Sequence, residues 1–141
     1  MKNIAMFKQA TGFVIDRKGV IITGAPGIGK TSLMLAAYME GGFIIGDDGL
    51  EVSDTSGQLF MHPVTNFEGL VHVRGMGIYK VPFHTRHQAD VHVQLLARSD
   101  DELPPNQLEE FCSVALPVIR LVYDSYALHR LRFLLRHERV I

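Results

Sequence analysis

The segment GAPGIGKTS, from Gly24 to Ser32, constrains the fold of this chain more than any other. It follows the short apolar run GVIIT and matches the pattern G-x-x-x-x-G-K-[ST], in which a loop joins a strand to a helix. The stretch that follows, KTSLMLAAYME, has apolar residues at helical spacing, namely Leu33, Leu35, Ala36 and Met39. We therefore expect an α/β unit with a phosphate-binding loop.

Nine residues of this loop are expected to bind the phosphates of a nucleotide: Gly24, Ala25, Pro26, Gly27, Ile28, Gly29, Lys30, Thr31 and Ser32. Glycines allow backbone N–H groups to turn towards phosphate oxygens, and the helix adds the positive end of its dipole. Lys30 is expected to reach the β- and γ-phosphates, and the Thr31 hydroxyl to bind Mg²⁺. A glycine-rich turn before an ordinary helix is the alternative, which the flanking elements disfavour.

An acidic pair, Asp47 and Asp48, follows the apolar run FIIG. A phosphoryl-transfer site needs an acid for the metal and often a second to accept a proton. Neighbouring residues of an extended chain point to opposite sides, so one carboxylate could face the metal while the other acts as general base. The sequence pattern does not decide which carboxylate takes which role. Asp47 is assigned, together with Thr31, as a ligand of the metal. A DDG turn between two strands is the alternative.

The rest of the chain predicts a single α/β domain over residues 1–141, with a central mixed sheet. The runs TGFVI and GVIIT, separated by DRKG, predict a hairpin. Further strands are predicted in FIIG, on either side of a turn in LEVSDTSGQLFMH, in LVHVRGMGIYKVP, in ADVHVQLLA and in LPVIRLVY. NQLEEFCSVA predicts a helix, and Ala97–Gln107 an exposed loop. DSYALHRLRFLLRHE predicts a last helix, capped by Asp124, that buries Leu128, Leu131, Leu134 and Leu135.

Composition limits the partners and the compartment. The net charge of −1 gives no basic field for nucleic acid or for an anionic membrane. No apolar run approaches the roughly 20 residues that a membrane span requires. The start of the chain lacks a signal peptide, and the single cysteine, Cys112, cannot form an intramolecular disulfide. We therefore expect a cytoplasmic protein.

Other charged and metal-binding candidates carry less information. His84, His87 and His92 are loosely spaced, with no acid or cysteine to complete a zinc site. Arg86 or Lys80 could neutralise a transferring phosphoryl group, although a solvated loop charge is the more ordinary interpretation. The last helix carries four arginines, which indicate a solvated face or a docking surface: Arg130, Arg132, Arg136 and Arg139.

The segments GVIITGAPGIGKTS, GGFIIGDDG and VRGMGIYKVP, in this order and spacing, resemble the C-terminal catalytic domain of the HPr kinase/phosphorylase family, most closely its short alphaproteobacterial members. The resemblance runs from Gln9 to the last helix. It implies a P-loop kinase fold related to HPr kinase and phosphoenolpyruvate carboxykinase. It also implies ATP- and Mg²⁺-dependent phosphorylation of a serine on an HPr-like phosphocarrier, reversal by inorganic phosphate, and a homo-oligomer.

By the same resemblance, Asp47, Asp48, Lys30 and Arg74 are the expected catalytic residues, and Gly75 and Gly77 line the site. The chain departs from the family at Gln9, where a histidine is usual, and at His72, where a glutamate is usual. Glutamine cannot titrate near neutral pH, and losing a carboxylate removes a candidate Mg²⁺ ligand. Ser32 is a milder departure, because an acid is common there. These changes leave open a kinase with another substrate and a nucleotide-sensing pseudokinase.

Overall fold

The computed structural model describes residues 4–97, 107–111 and 113–140. Its strands are β1 (Ile4–Lys8), β2 (Thr11–Ile15), β3 (Lys18–Thr23), β4 (Phe43–Gly46), β5 (Gly49–Thr55), β6 (Gln58–His62), β7 (Leu70–Val73), β8 (Gly77–Lys80), β9 (His87–Gln88), β10 (Val91–Leu96), β11 (Gln107–Phe111) and β12 (Val114–Val122). Its helices are α1 (Lys30–Met39) and α2 (Ala127–Arg136).

A mixed sheet organises the structure, as the sequence predicts. Its strand order is β11-β12-β10-β3-β2-β4. Strand β10 is parallel to β3 and to β12, whereas β2 is antiparallel to both β3 and β4. Four strands therefore run in one direction, and their carboxyl ends lie at the same edge of the sheet: β3, β4, β10 and β12. The segment predicted to bind phosphate leaves the sheet at that edge.

The hairpin predicted around DRKG is confirmed. Ile15 pairs with Lys18, and the two residues between them, Asp16 and Arg17, have φ angles of 51° and 67°. Positive φ at both central positions is the geometry of a tight two-residue hairpin turn, whose twist matches that of the strands.

A second, antiparallel sheet was not predicted as a separate layer. Its order is β1-β5-β6-β9. Apolar residues between the two sheets include Ile21, Leu50 and Met61, which are all buried. The helices cover the opposite face of the mixed sheet, where Phe13 and Leu131 lie in another buried cluster. The mixed sheet is thus the middle of three layers.

The segment LVHVRGMGIYKVP, in which strand was predicted, forms two strands. Strands β7 and β8 pair with each other as a two-stranded sheet, in which Val73 lies opposite Gly77. The turn between them consists of Arg74, Gly75 and Met76, so the segment that resembles the family signature forms the tip of a hairpin.

The helix predicted in NQLEEFCSVA is wrong. Residues 107–111 form β11, which pairs antiparallel with β12 at the edge of the mixed sheet. Helix propensity is a weak preference, and the backbone groups at the edge of β12 offer this segment hydrogen-bond partners in a strand conformation. Residues 98–106 of the expected loop and Cys112 lie outside the described residues.

Helix α1 is confirmed, and three of the four apolar residues noted at helical spacing, Leu33, Leu35 and Ala36, pack against the core. Its buried positions are Lys30, Leu33, Met34 and Ala37, whereas Met39 is 79% exposed. These positions follow the i, i+3, i+4, i+7 spacing of one helical face. The buried face therefore includes the lysine of the glycine-rich motif.

Helix α2 is also confirmed, with two corrections. Leu128 and Leu131 are buried and Leu135 is partly buried, but Leu134 is 43% exposed because it lies outside the contact with the core. Asp124 precedes the cap position, which Tyr126 occupies. The Asp124 carboxylate still accepts a hydrogen bond of 2.8 Å from the Tyr126 backbone N–H and pairs with Arg130.

The basic residues of α2 are not simply solvated. The Arg132 guanidinium donates two 2.9 Å hydrogen bonds to Asp16, in the β2–β3 turn, and Arg136 lies 3.1 Å from the same carboxylate. These arginines hold the pKa of Asp16 below its ordinary value, chiefly through the hydrogen bond from Arg132. The pairs connect α2 to the hairpin.

Across the described parts of the chain, neither helix combines the length and the apolar character that crossing a bilayer requires.

Candidate functional site

The segment from Gly24 to Gly29 forms a loop between the end of β3 and the start of α1. Gly24, Gly27 and Gly29 have φ angles of 154°, 78° and 119°, which residues with a side chain rarely adopt. Within the loop, the Ile28 N–H donates to the Ala25 carbonyl at 3.1 Å. Glycine at these positions permits a compact turn that presents its backbone at the start of a helix.

Lys30 lies inside the loop with only 6% of its surface exposed. Its Nζ donates hydrogen bonds to the carbonyl oxygens of Gly24, at 2.7 Å, and Ala25, at 3.1 Å. A buried ammonium group is costly unless it is hydrogen-bonded, and these carbonyls meet that need. The loop therefore encloses a fixed positive charge.

Asp47 follows β4 and contacts the first turn of α1. Its Oδ1 accepts a 2.7 Å hydrogen bond from the Thr31 hydroxyl and a longer one, 3.5 Å, from Thr11. Its Oδ2 accepts a 3.3 Å hydrogen bond from the His72 backbone N–H. The structure thus brings together two residues that are 16 positions apart and were both predicted to bind a metal.

Burial raises the pKa of Asp47 above its ordinary value, and repulsion from Asp48 adds to this shift. Hydrogen bonds from Thr31, from the His72 backbone and from Thr11 oppose it. A nearby cation would favour the ionised form. Because Mg²⁺ prefers hard oxygen ligands, the Asp47 carboxylate and the Thr31 hydroxyl fit this ion.

Asp48 occupies a different environment from Asp47. The expectation of two carboxylates on extended chain is wrong, because Asp48 has a φ angle of 56° and begins a turn. Its N–H donates to the Thr11 hydroxyl at 3.4 Å, and its carbonyl accepts from the Gln9 N–H at 3.3 Å. The Asp48 side chain is exposed, whereas Asp47 is half-buried. The backbone turn, not strand alternation, separates the two carboxylates.

Arg74 reaches the loop from the tip of the β7–β8 hairpin. A Cβ built on Gly27 would lie 3.4 Å from Arg74 Nη2 and 3.5 Å from Nη1. The guanidinium therefore lies against the middle of the loop although Arg74 is exposed. The loop thus has a second positive charge against it, at Gly27, in addition to that of Lys30.

Two residues at this site were missed by the sequence reasoning. Thr11 is fully buried beside Asp47 and Asp48, and Tyr123 follows β12 and packs on the loop. A Cβ built on Gly29 would lie 2.7 Å from Tyr123 Cδ2 and 3.0 Å from its Cβ. The aromatic residue after LPVIRLV was a weak signal for Tyr123, and nothing in the pattern singled out Thr11.

The two positions that depart from the family both border the acidic pair. The Gln9 backbone contacts Asp48, and the His72 backbone contacts Asp47. Both side chains are exposed. Both positions therefore adjoin the acidic pair through their backbones, and substitutions there alter exposed side chains and not the core.

The histidine and arginine candidates elsewhere lie in ordinary structural contacts. His92 Nε2 is 2.6 Å from the Thr23 hydroxyl, and His84 stacks on Phe43 with ring centroids 4.0 Å apart. His87 Nδ1 is 2.8 Å from the Gln88 carbonyl oxygen, and the Arg86 guanidinium lies 3.7 Å from the centre of the Phe60 ring. Lys80 is an exposed residue of β8. In the described ranges, no three histidine, cysteine, aspartate or glutamate side chains are grouped to hold a metal.

The family model described as HPr Serine kinase C-terminal domain matches residues 2–97. The chain belongs to this family. Among curated relatives, the HPr kinase/phosphorylase of Clostridium beijerinckii is 36% identical over 72 residues, which are 50% of this chain and 24% of that protein. The HPr kinase/phosphorylase of Bordetella pertussis is 36% identical over 64 residues, which are 45% of this chain and 21% of that protein.

The matched segment thus spans about a quarter of the length of these HPr kinase relatives. A solved structure, the Hpr(Ser) kinase/phosphatase from Coxiella burnetii, superimposes with a TM-score of 0.82 and 24% identity and covers 94% of each chain. At this identity the match shows a common fold. The family resemblance inferred from the sequence is confirmed.

Proposed function

We propose that this HPr kinase family member is an ATP-dependent serine kinase, and that its acceptor is an HPr-like phosphocarrier in the cytoplasm. The observation that carries the proposal is the 2.7 Å contact between Thr31 and Asp47, beside a loop that encloses Lys30. These residues offer a phosphate-binding backbone, a cation and a metal-binding oxygen pair at one sheet edge. The name of the relatives, HPr kinase/phosphorylase, supports an HPr-like protein as the acceptor.

The segment from Gly24 to Ser32 is assigned to the phosphates of ATP. The backbone N–H groups of its last residues and of the first helical turn are suited to bind phosphate oxygens. Lys30 would exchange its contacts with the Gly24 and Ala25 carbonyls for phosphate oxygens. Arg74, at Gly27, would add charge from the other side of the loop.

Thr31 and Asp47 are assigned to Mg²⁺. These two residues would hold the ion, which would supply positive charge to offset the negative charge that develops on the phosphate oxygens. Ionised Asp47 is needed for this role, and the hydrogen bonds from Thr31, His72 and Thr11 hold its carboxylate in one orientation.

Asp48 is assigned as the proton acceptor because its carboxylate is exposed next to the metal-binding acid. The serine oxygen of the phosphocarrier forms a bond to the γ-phosphorus while the bond from that phosphorus to the β–γ bridging oxygen breaks. The serine proton moves to Asp48, and ADP leaves. Lys30 and Arg74 stabilise the negative charge of the transferring group.

The positions of Gln9 and His72 favour a second candidate, a nucleotide-sensing pseudokinase. Both residues border the acidic pair, where the family usually has a histidine and a glutamate. Restoring both as Gln9→His and His72→Glu separates the candidates. A large gain in phosphotransfer indicates a weakened kinase site, and no gain favours another substrate or a binding role.

The test is transfer of label from γ-labelled ATP with Mg²⁺ to purified HPr from the same organism, with Lys30→Ala as the control. We expect label on HPr only with the intact lysine. Binding of Mg-ATP without any labelled HPr would instead support the regulator or a kinase for another acceptor. If the unmodified protein neither bound Mg-ATP nor transferred label to HPr, the proposed nucleotide site would be rejected.

A further inference from the structure

Tyr123 covers one end of the phosphate loop, at the residue before α1. Its ring lies so close to Gly29 that any Cβ there would collide with it, and Gly29 also has a φ angle of 119°. The ring is not enclosed by this contact, because 37% of the Tyr123 surface stays exposed. An aromatic surface is therefore open to solvent directly beside the loop.

The order of strands separates Tyr123 from the acidic residues. Asp47 follows β4 and Tyr123 follows β12, and these strands lie on opposite sides of β3, which leads into the loop. Between β4 and β12 there are four strand spacings of about 4.8 Å each. The metal-binding oxygens, at Thr31, and the aromatic ring, at Gly29, thus approach the end of the loop from opposite sides of β3.

This arrangement suits a ligand with a charged end and a flat apolar end. The terminal phosphates are assigned to the Asp47 side of the loop, so the other end of the ligand can extend from there towards the β12 side, where Tyr123 lies. A nucleobase has an aromatic face on both sides and stacks well on tyrosine, whatever its hydrogen-bonding edge.

We propose that Tyr123 is the stacking platform for the nucleobase and so favours nucleotides over bare polyphosphates at this site. The inference rests on the proposed nucleotide function and adds a specificity-determining residue to it. Because stacking reads the face of a base and not its edge, Tyr123 selects for a base without selecting one purine over the other.

The test compares calorimetric binding of Mg-ADP and Mg-tripolyphosphate to the full chain. We expect Tyr123→Ala to weaken binding of Mg-ADP about tenfold, in the range of one lost stacking contact, and to leave binding of Mg-tripolyphosphate unchanged. Tyr123→Phe keeps the ring and should bind both ligands as the unmodified protein does. Tyr123→Leu, which fills much of the same volume without an aromatic ring, should behave as Tyr123→Ala does.

If Tyr123→Ala lost affinity equally for both ligands, or lost affinity for neither, the stacking role would be overturned. In the first case Tyr123 would only support the loop backbone. If the unmodified protein bound neither ligand, the phosphate site itself would be rejected, together with this inference. Phe133→Ala, which removes an exposed aromatic ring from α2, is the matched control and should change neither affinity.

Discussion

At the scale of single residues, the proposed chemistry depends on two cations held in different ways. Lys30 is buried and fixed by two loop carbonyls, whereas Arg74 is exposed and reaches Gly27 from a hairpin. An exposed arginine can strengthen its contact as charge develops in the transition state. Arg74 is therefore expected to affect turnover more than ground-state binding.

Arg74→Ala should lower kcat for phosphotransfer by about 100-fold to 1000-fold, as loss of one transition-state donor does in other enzymes. Its effect on the Kd of Mg-ADP should be only a few-fold. Steady-state kinetics and calorimetry check these two values. Arg86→Ala removes a guanidinium that lies on Phe60 and should leave kcat unchanged. Weaker binding of Mg-ADP with kcat unchanged would show that Arg74 contributes only uniform binding.

The half-buried carboxylate of Asp47 should make the stability of the fold depend on pH. Burial raises the pKa of Asp47 above its value of 3.8 in the unfolded chain, so the folded state binds more protons between these two values. Stability from this group therefore falls as pH rises through that interval and stays lower above it. Urea unfolding at several pH values should show that Asp47→Asn removes this fall.

Asp48→Asn makes the same change of charge at an exposed neighbour and is the control. It should retain the decline in stability with pH that burial of Asp47 causes, made smaller because the repulsion from Asp48 is lost. A stability profile of Asp47→Asn that runs parallel to that of the unmodified protein would contradict the assignment.

The glycine motif and the acidic pair were predictable because local pattern carries their chemistry. The structure then brings Thr31 and Asp47 together, as the prediction of a shared metal required. Thr11 and Tyr123 were not predictable because their place at the site depends on strand order and packing. A buried threonine and an aromatic residue after a strand are common in many folds that have no such site.

At the level of elements, α2 is connected to the β2–β3 turn by an ion pair that the sequence did not indicate, although the side chains of Arg130 and Arg136 stay about half exposed. Local sequence could not reveal it, because Asp16 and Arg132 are 116 residues apart. The same limit explains why β11 was predicted as a helix, because its strand conformation depends on pairing with β12. In both cases the decisive partner is distant along the chain.

The Asp16–Arg132 pair should contribute about 1 kcal/mol to stability, at the upper end for surface pairs, because two hydrogen bonds fix its geometry. A double-mutant cycle of Asp16→Asn and Arg132→Met in urea measures this coupling. The lowered pKa of Asp16 makes its contribution complete above the ordinary value of 3.8, and it is lost as pH falls through the folded-state value. The coupling should therefore shrink in acid.

The exposed pair Asp124 and Arg130 provides the comparison. Its cycle should give a smaller coupling energy, because solvent and salt screen the pair more strongly. Equal coupling energies in the two cycles, or no coupling between Asp16 and Arg132, would contradict the structural role assigned to the Asp16–Arg132 pair.

At the scale of the whole molecule, the two larger sheets approach each other at Gly19 in β3. A Cβ built there would collide with the carbonyl oxygen of Gln88 in β9. Gly19→Ala should therefore destabilise the fold by about 3 kcal/mol, the upper part of the usual range for overpacking, because backbone on both sides must shift. The free energy of unfolding in urea measures the effect.

Gly57→Ala is the matched control. A Cβ at Gly57 would meet nothing within 4 Å, but its φ angle of 80° makes alanine strained. We expect a cost of about 1 kcal/mol from this strain alone. A Gly19→Ala variant no less stable than Gly57→Ala would show that the sheets can separate without penalty.

The last strand and helix lie beyond the residues that the family model matches, but they pack into the same hydrophobic core. The family model ends at residue 97, yet β12 pairs with β10, and Leu121 and Leu131 belong to the same buried cluster as Phe13. A chain shortened to the matched residues would keep the glycine motif and both acids. It would also expose an unpaired strand edge and an apolar face, the two features that most readily promote aggregation.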